Sequence, residues 1–285
     1  MALKVGIQLY SVRDEMAKDP IATMKAVAEI GYRCLEVANP RADQDPGVGF
    51  GVSAEDLLAA LDGTGAHIIS GHIRPVTDET VDAIIEYHKK IGNKYIGQSA
   101  DFYDSVEHLL ERCKYYNAMG KRLAEEGMKF VIHNHYHEFQ KIGGKYVLDY
   151  ILENTDPEYV AFEIDTFWAM RGGADPVEII KKVGNRLMAV HQKDFSKTST
   201  SPINVLADDD GSKFISRETF GGVINPLDFC EVGTGIMDIQ SIIDAANEVG
   251  AEYIILEQDH TQLGQIESIK LSMENFKKYT GIEWE

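Results

Sequence analysis

Short apolar runs recur along the chain and alternate with amphipathic stretches of helical length. Eight runs read as strands: KVGIQLY (4–10), RCLEVA (33–38), HIISGH (67–72), KYIGQ (94–98), KFVIHNH (129–135), VAFEID (160–165), LMAVHQK (187–193) and YIILEQD (253–259). Helix signals lie between them. Ser53 and Asp56 resemble a capping box ahead of LLAALDG. Asp175-Pro176 places a cap and then a proline at the first helical position. Asp238 is read as the cap of the last barrel helix, and IESIKLSMENFKKY has the helical spacing that closes the chain. Strands separated by helices indicate parallel β/α units. Eight such units in roughly 250 residues is the size of a (β/α)8 barrel. The expected fold class is therefore α/β, a parallel eight-stranded TIM barrel, as a single domain over residues 1–285. An open doubly wound sheet is disfavoured, because no GxGxxG turn follows the first strand and GVGFG (47–51) follows the wrong element. The polar segment 195–230 is expected to be a long loop over the C-terminal mouth, with little regular structure.

Side chains alternate faces along a strand, so parity sorts each run into a helix-facing and an inward set. Val160, Phe162 and Ile164 face the helices, which turns Ala161, Glu163 and Asp165 inward. Met188 and Val190 are read as outward, leaving Ala189, His191 and Lys193 inside. The same test turns Glu257 and Asp259, His133 and His135, Glu36, His72, and Gln8 and Tyr10 inward. Asn134 has outward parity and is expected to tie its strand end to a neighbour. Polar residues thus gather at the strand ends, where barrels of this kind build active sites. Carboxylates crowded in one mouth repel and raise one another's pKa, a cost that a divalent cation removes.

Composition narrows the function. Acids outnumber bases 46 to 28 and the net charge is −18, which argues against a nucleic-acid partner. No apolar run approaches the ~18 residues of a membrane helix, and MALKVGIQLYSV lacks the apolar region of a signal peptide. The cysteines Cys34, Cys113 and Cys230 are odd in number and have no CxxC spacing. They read as reduced thiols, so a cytoplasmic protein with no membrane partner is expected.

The stretches EIDTFW (163–168), HQKDF (191–195), FCEVGTGIMD (229–238), ILEQD (255–259) and HNHYHEF (133–139) resemble the xylose-isomerase-like TIM barrels, the sugar phosphate isomerases and epimerases, over essentially the whole chain. FCEVGTGIMD and ILEQD are especially similar to inosose dehydratases. HNHYHEF is similar to the HNHxxEF form found in catalytic subunits of C-glycoside deglycosidases. The tagatose 3-epimerase type carries a glutamate at the end of the fifth strand, where this chain has His133, and epimerases of the family often carry a histidine where this chain has Trp168.

The resemblance implies one divalent ion, Mn, Co, Mg or Zn, held by residues of strands five to eight. Asp165, His191 and Glu257 match three ligands. Glu138 is taken as the fourth, with His133 as runner-up. His135 is the implied general base, since a histidine titrates near neutrality. Glu257 is the alternative base, Lys193 would stabilise a developing enolate or hold a carboxylate, and His137 is read as a solvated loop residue. Trp168, His72, Glu36, Arg171, Glu231, His133 and Asp259 are candidates for holding the substrate, a small-molecule sugar or cyclitol. The expected activity is that of a metal-dependent sugar isomerase or epimerase acting through a metal-bound enediolate, with β-elimination from a keto-sugar or inosose as the alternative. Two further readings are weighed against it: an endonuclease IV-type hydrolase, opposed by the acidic charge, and a non-catalytic sugar-binding protein, opposed by the intact ligand set. A homo-oligomer is compatible with the resemblance, because barrels of this family often pair or form tetramers.

Overall fold

A computed structural model describes residues 2–284. Eight parallel strands close into a barrel: β1 (Leu3–Gln8), β2 (Cys34–Asn39), β3 (His67–Ile73), β4 (Tyr95–Gln98), β5 (Lys129–His133), β6 (Val160–Asp165), β7 (Leu187–Gln192) and β8 (Tyr253–Leu256). Closure comes from β8 pairing with β1, in a register that sets Lys4 beside Tyr253 and Ile7 beside Leu256. The main helices follow their strands in turn: α1 (Pro20–Ile30), α2 (Ala54–Leu61), α3 (Val81–Lys90), α4 (Val106–Glu125), α5 (Val147–Asn154), α6 (Pro176–Val183), α7 (Ile239–Val249) and α8 (Gln265–Phe276). No described helix is long and apolar enough to cross a membrane.

The helix starts follow from local chemistry. Asp175 accepts the Val177 N–H at 2.8 Å, with Pro176 in the first turn, and Asp238 accepts the Ser241 N–H at 3.1 Å. Asp238 caps α7, however, and the last barrel helix is α8, which starts behind Gly264. At α2 only half of a capping box forms. The Asp56 N–H donates to Ser53 Oγ at 3.0 Å, but the Asp56 carboxylate takes the serine hydroxyl at 2.7 Å in place of the backbone N–H.

Two apolar layers hold the barrel. The larger lies between strands and helices and includes Leu35, Phe162, Ile164, Val190 and Ile254. The smaller fills the barrel interior: Cys34, Ile69, Val131, Ala161, Met188, Ala189 and Ile255. The interior position of Met188 overturns its parity reading. Phe162 pairs with Leu187, but Glu163 pairs with Ala189, so β7 carries one extra residue there and Met188 turns inward. Two residues beyond the plug five of the strands become polar: Cys34 leads to Glu36, Val131 to His133, Ala161 to Glu163, Ala189 to His191 and Ile255 to Glu257. The plug forms the floor of the site, and the polar residues form the layer above it.

The segment 195–230 contains more regular structure than its composition suggests. Asp194–Phe195 pairs antiparallel with Phe229–Cys230, and Arg217–Phe220 forms a short helix.

Away from the site, His88 on α3 is fully buried, and its Nδ1 accepts from the Asn93 amide at 2.9 Å. Burial pushes its pKa down to about 4, against ~6.5 in an unfolded chain. The folded state therefore favours the neutral ring, and this stabilisation is present above pH ~6.5 and is lost as pH falls towards 4. The loss expected from His88 is roughly 3 kcal/mol. Denaturant unfolding between pH 7 and 4 should show a shallower decline in His88→Gln than in the parent; parallel declines would contradict the assignment.

Candidate metal centre and active site

The end of β6 shows how sequence places the site. Asp165 ends the strand and also caps the short helix Thr166–Arg171, accepting the Trp168 N–H on Oδ1 at 2.8 Å. Its other oxygen remains for the barrel interior. Asn134 clamps the same residue by two bonds: the Asp165 N–H donates to Asn134 Oδ1 at 3.0 Å, and Asn134 Nδ2 donates to the Asp165 carbonyl at 3.1 Å. The strand-end tie expected of Asn134 is therefore present. Gly97 on β4 performs a similar positioning role by omission, since a Cβ there would meet His72 Cδ2 at 2.9 Å.

Above the apolar plug, one ligand-type atom from each of His133, Asp165, His191 and Glu257 lies within 4.8 Å of all the others, and all four residues are buried. His133 Nε2 is 3.5 Å from Asp165 Oδ2 and 3.9 Å from Glu257 Oε2, with no hydrogen-bond partner. The Lys193 ammonium donates to both Asp165 and Glu257. His191 is held between acids, with Nδ1 2.9 Å from Glu257, and Nε2 2.7 Å from Glu36 and 3.1 Å from Glu163. Burial works against a charge on His191, but Glu163, Glu36 and Glu257 together hold its pKa well above the usual histidine value. Behind it His72 Nε2 lies 2.7 Å from Glu163, and Gln8 donates to Glu36 at 2.8 Å. Carboxylates packed this densely without water need positive charge beside them. The unpartnered His133 nitrogen and the mixed oxygen and imidazole donors fit a divalent transition ion.

Several expected residues are placed differently. Glu138 lies outside the converging set. The turn His137–Phe139 carries it off the strand line, and its carboxylate accepts the His135 N–H at 2.8 Å and lies 3.1 Å from His137. His133, the runner-up, occupies the fifth-strand place. His137 is buried, not solvated: its ring stacks on Phe102 and its Nε2 lies 2.8 Å from the Asp101 carbonyl. Arg171 is buried against Asp228 at 3.1 Å and donates to the Pro202 and Val223 carbonyls, so it anchors the long loop and does not face a substrate. Glu231 accepts the hydroxyls of Thr261 and Ser268, also away from the mouth. Glu36 is wholly buried beneath His191. Glu163 was not singled out beyond its inward parity, although the parity that selects Asp165 selects it equally.

A cavity of about 510 Å³ opens above the cluster, bordered by His72, His135, Trp168, Glu257 and Asp259. Its size is that of a small-molecule site. His135 lies two residues beyond the end of β5, with Nδ1 unpartnered. Burial, reinforced by His133 and His137, keeps its pKa well below the usual value, so the ring is a neutral acceptor. Asp259 moves the opposite way: burial pushes it up to about 7, with Lys193 opposing and Glu257 and Asp165 adding to the rise. A neutral base and a carboxyl that titrates near neutrality thus share one cavity.

The family described as xylose isomerase-like TIM barrel matches residues 24–279. Among curated relatives, an inosose dehydratase of Lacticaseibacillus casei is 28% identical over 142 residues, covering 50% of this chain and 44% of that protein. The match thus spans less than half of the relative's length. Among solved structures, a sugar phosphate isomerase/epimerase from Parabacteroides distasonis superposes with TM-score 0.77 at 22% identity, over 99% of this chain and 96% of that one. The IolI protein, solved with a bound zinc atom, superposes with TM-score 0.68 at 13% identity over 97% of each chain. At these identities the structural likeness concerns the fold.

Removing the buried ammonium tests the charge balance. Lys193→Met should destabilise the metal-free protein by about 3–5 kcal/mol, and Mn2+ should recover much of that loss in thermal unfolding. Parent-like stability without metal would contradict the role given to Lys193.

Proposed function

Because the chain belongs to the xylose isomerase-like TIM barrel family, we propose that it is a divalent-metal-dependent sugar isomerase or epimerase acting on a ketose or other keto-sugar, with His133, Asp165, His191 and Glu257 holding the ion. The observation that carries this reading is the convergence of those four side chains beneath a cavity that also presents His135 and Asp259. A bound divalent ion supplies Lewis acidity, which lowers the pKa of a C–H next to a ketone. His135, neutral and on the cavity wall, takes the proton from that carbon through its ring. Asp259, whose pKa is pushed up to about 7, delivers a proton from its own side of the cavity. Lys193 orients Asp165 and Glu257 and supplies positive charge as negative charge develops. Trp168 borders the cavity and offers an aromatic surface to a sugar.

A second reading is favoured by the similarity to inosose dehydratases. The first step is the same, but Asp259 protonates a departing β-hydroxyl and water is lost. The two readings separate by product.

The test is incubation of ketoses and inososes with Mn2+-loaded protein in D2O. Deuterium should enter the carbon next to the ketone. A new epimer or isomer supports the first reading, and an ultraviolet-absorbing enone supports the second. His135→Ala should slow exchange by about 10²–10⁴-fold, while Asp259→Asn should keep exchange and lose product. Normal rates in His135→Ala would remove it as the base, and no exchange with any ketone would sink both readings.

A further inference from the structure

Three arginines border the cavity: Arg13, Arg74 and Arg217. Arg13 is already engaged. It donates to the Asp259 carbonyl at 2.7 Å and to the Tyr10 carbonyl at 3.1 Å, and it lies over the Tyr10 ring. Arg74 and Arg217 are not. Among the described residues, neither guanidinium has an ion pair or a hydrogen bond, in a protein where acids outnumber bases 46 to 28. Arg74 stands two residues beyond His72 at the end of β3, half-buried. Arg217 enters from the short helix of the long loop, with its guanidinium 5.0 Å from the centre of the Phe102 ring.

The two charges feel each other. Loss of water around Arg74, with repulsion from Arg217, works against its ionisation. Asp101 is the acid whose field opposes this, but its Oδ2 is already taken by Arg112 at 2.6 Å and Tyr116 at 2.8 Å. Like charges brought together at a cavity wall cost free energy that an anion between them returns. Stacking on Phe102 leaves the N–H edge of Arg217 free, and a guanidinium edge matches an oxyanion by paired hydrogen bonds.

We propose that Arg74 and Arg217 form an anion subsite in the wall of the active cavity, which receives a phosphate or carboxylate group carried by the substrate. This rests on the proposed function only in taking the anion to be part of a keto-sugar; the binding itself requires no turnover. The subsite would select charged sugars over neutral ones.

Isothermal titration of the full chain with inorganic phosphate, a hexose 6-phosphate, a hexuronate and a neutral hexose tests this. An anionic ligand should bind with an affinity that falls as salt rises, while the neutral hexose binds more weakly. Arg74→Met and Arg217→Met should each weaken anion binding by about 10- to 100-fold. Arg74→Lys should retain part of it, and Arg122→Met, on the outer surface, should change nothing. Tighter binding of the hexose 6-phosphate assigns a phosphate ester; tighter binding of the hexuronate assigns a carboxylate. Arg217 is exposed on the loop, so its substitution reports on binding without endangering the barrel. No anion binding, or binding unchanged in both methionine variants, would overturn the subsite. Turnover of neutral keto-sugars without anion binding would defeat the subsite alone. Anion binding through both arginines, with no exchange on any ketone, would defeat the proposed function alone.

Discussion

Four carboxylates, Glu36, Glu163, Asp165 and Glu257, are buried together at one end of a barrel whose interior is otherwise apolar. Negative charge gathered out of water must be met by positive charge at contact distance. Lys193 meets Asp165 and Glu257, and His191 and His72 meet Glu36 and Glu163. The architecture around them serves that balance. The Asn134 clamp fixes Asp165, the missing side chain at Gly97 gives the His72 ring its place, and the apolar plug excludes water from below.

The same arrangement links structure to chemistry. Strand alternation brings a polar residue inward two positions after five of the plug residues, and the positions just past the strand ends line the open cavity. The buried layer binds charge, and the residues above it handle substrate. His135 and Asp259 belong to that upper level, where burial moves a histidine and a carboxyl in opposite directions. The loop that closes the mouth is fastened by the buried Arg171–Asp228 pair, and it brings Phe220 and Arg217 to the cavity.

Much of this was legible in the sequence, because strand parity is a strict geometric rule. The eight runs, the barrel, and the inward turn of His133, Asp165, His191 and Glu257 all follow from it. Parity failed at Met188, where an extra residue in β7 shifts the register, and apolar residues on both faces hide such a shift. Glu138 was misplaced because a carboxylate in a turn can point in many directions; here the backbone N–H of His135 captures it. Arg171 and Glu231 were candidates for holding substrate, yet the partners of Arg171 lie in the long loop and those of Glu231 at and just before α8. Tertiary pairing of that kind leaves no local pattern. Asp194 of HQKDF likewise accepts the N–H groups of Gly233, Gly235 and Met237, a long-range tie that joins that motif to VGTGIM.

The most direct measurement of the central claim is a Co2+ titration of metal-freed protein, followed by its visible absorption, in the parent, His133→Ala and Glu138→Gln. Two overlapping four-residue sets, His133–Asp165–His191–Glu257 and His72–His133–Glu163–His191, share two histidines, so about one ion per chain is expected in the parent. The spectrum should be weakened or lost in His133→Ala and kept in Glu138→Gln. Binding that survives in His133→Ala and disappears in Glu138→Gln, or no binding in the parent, would contradict it.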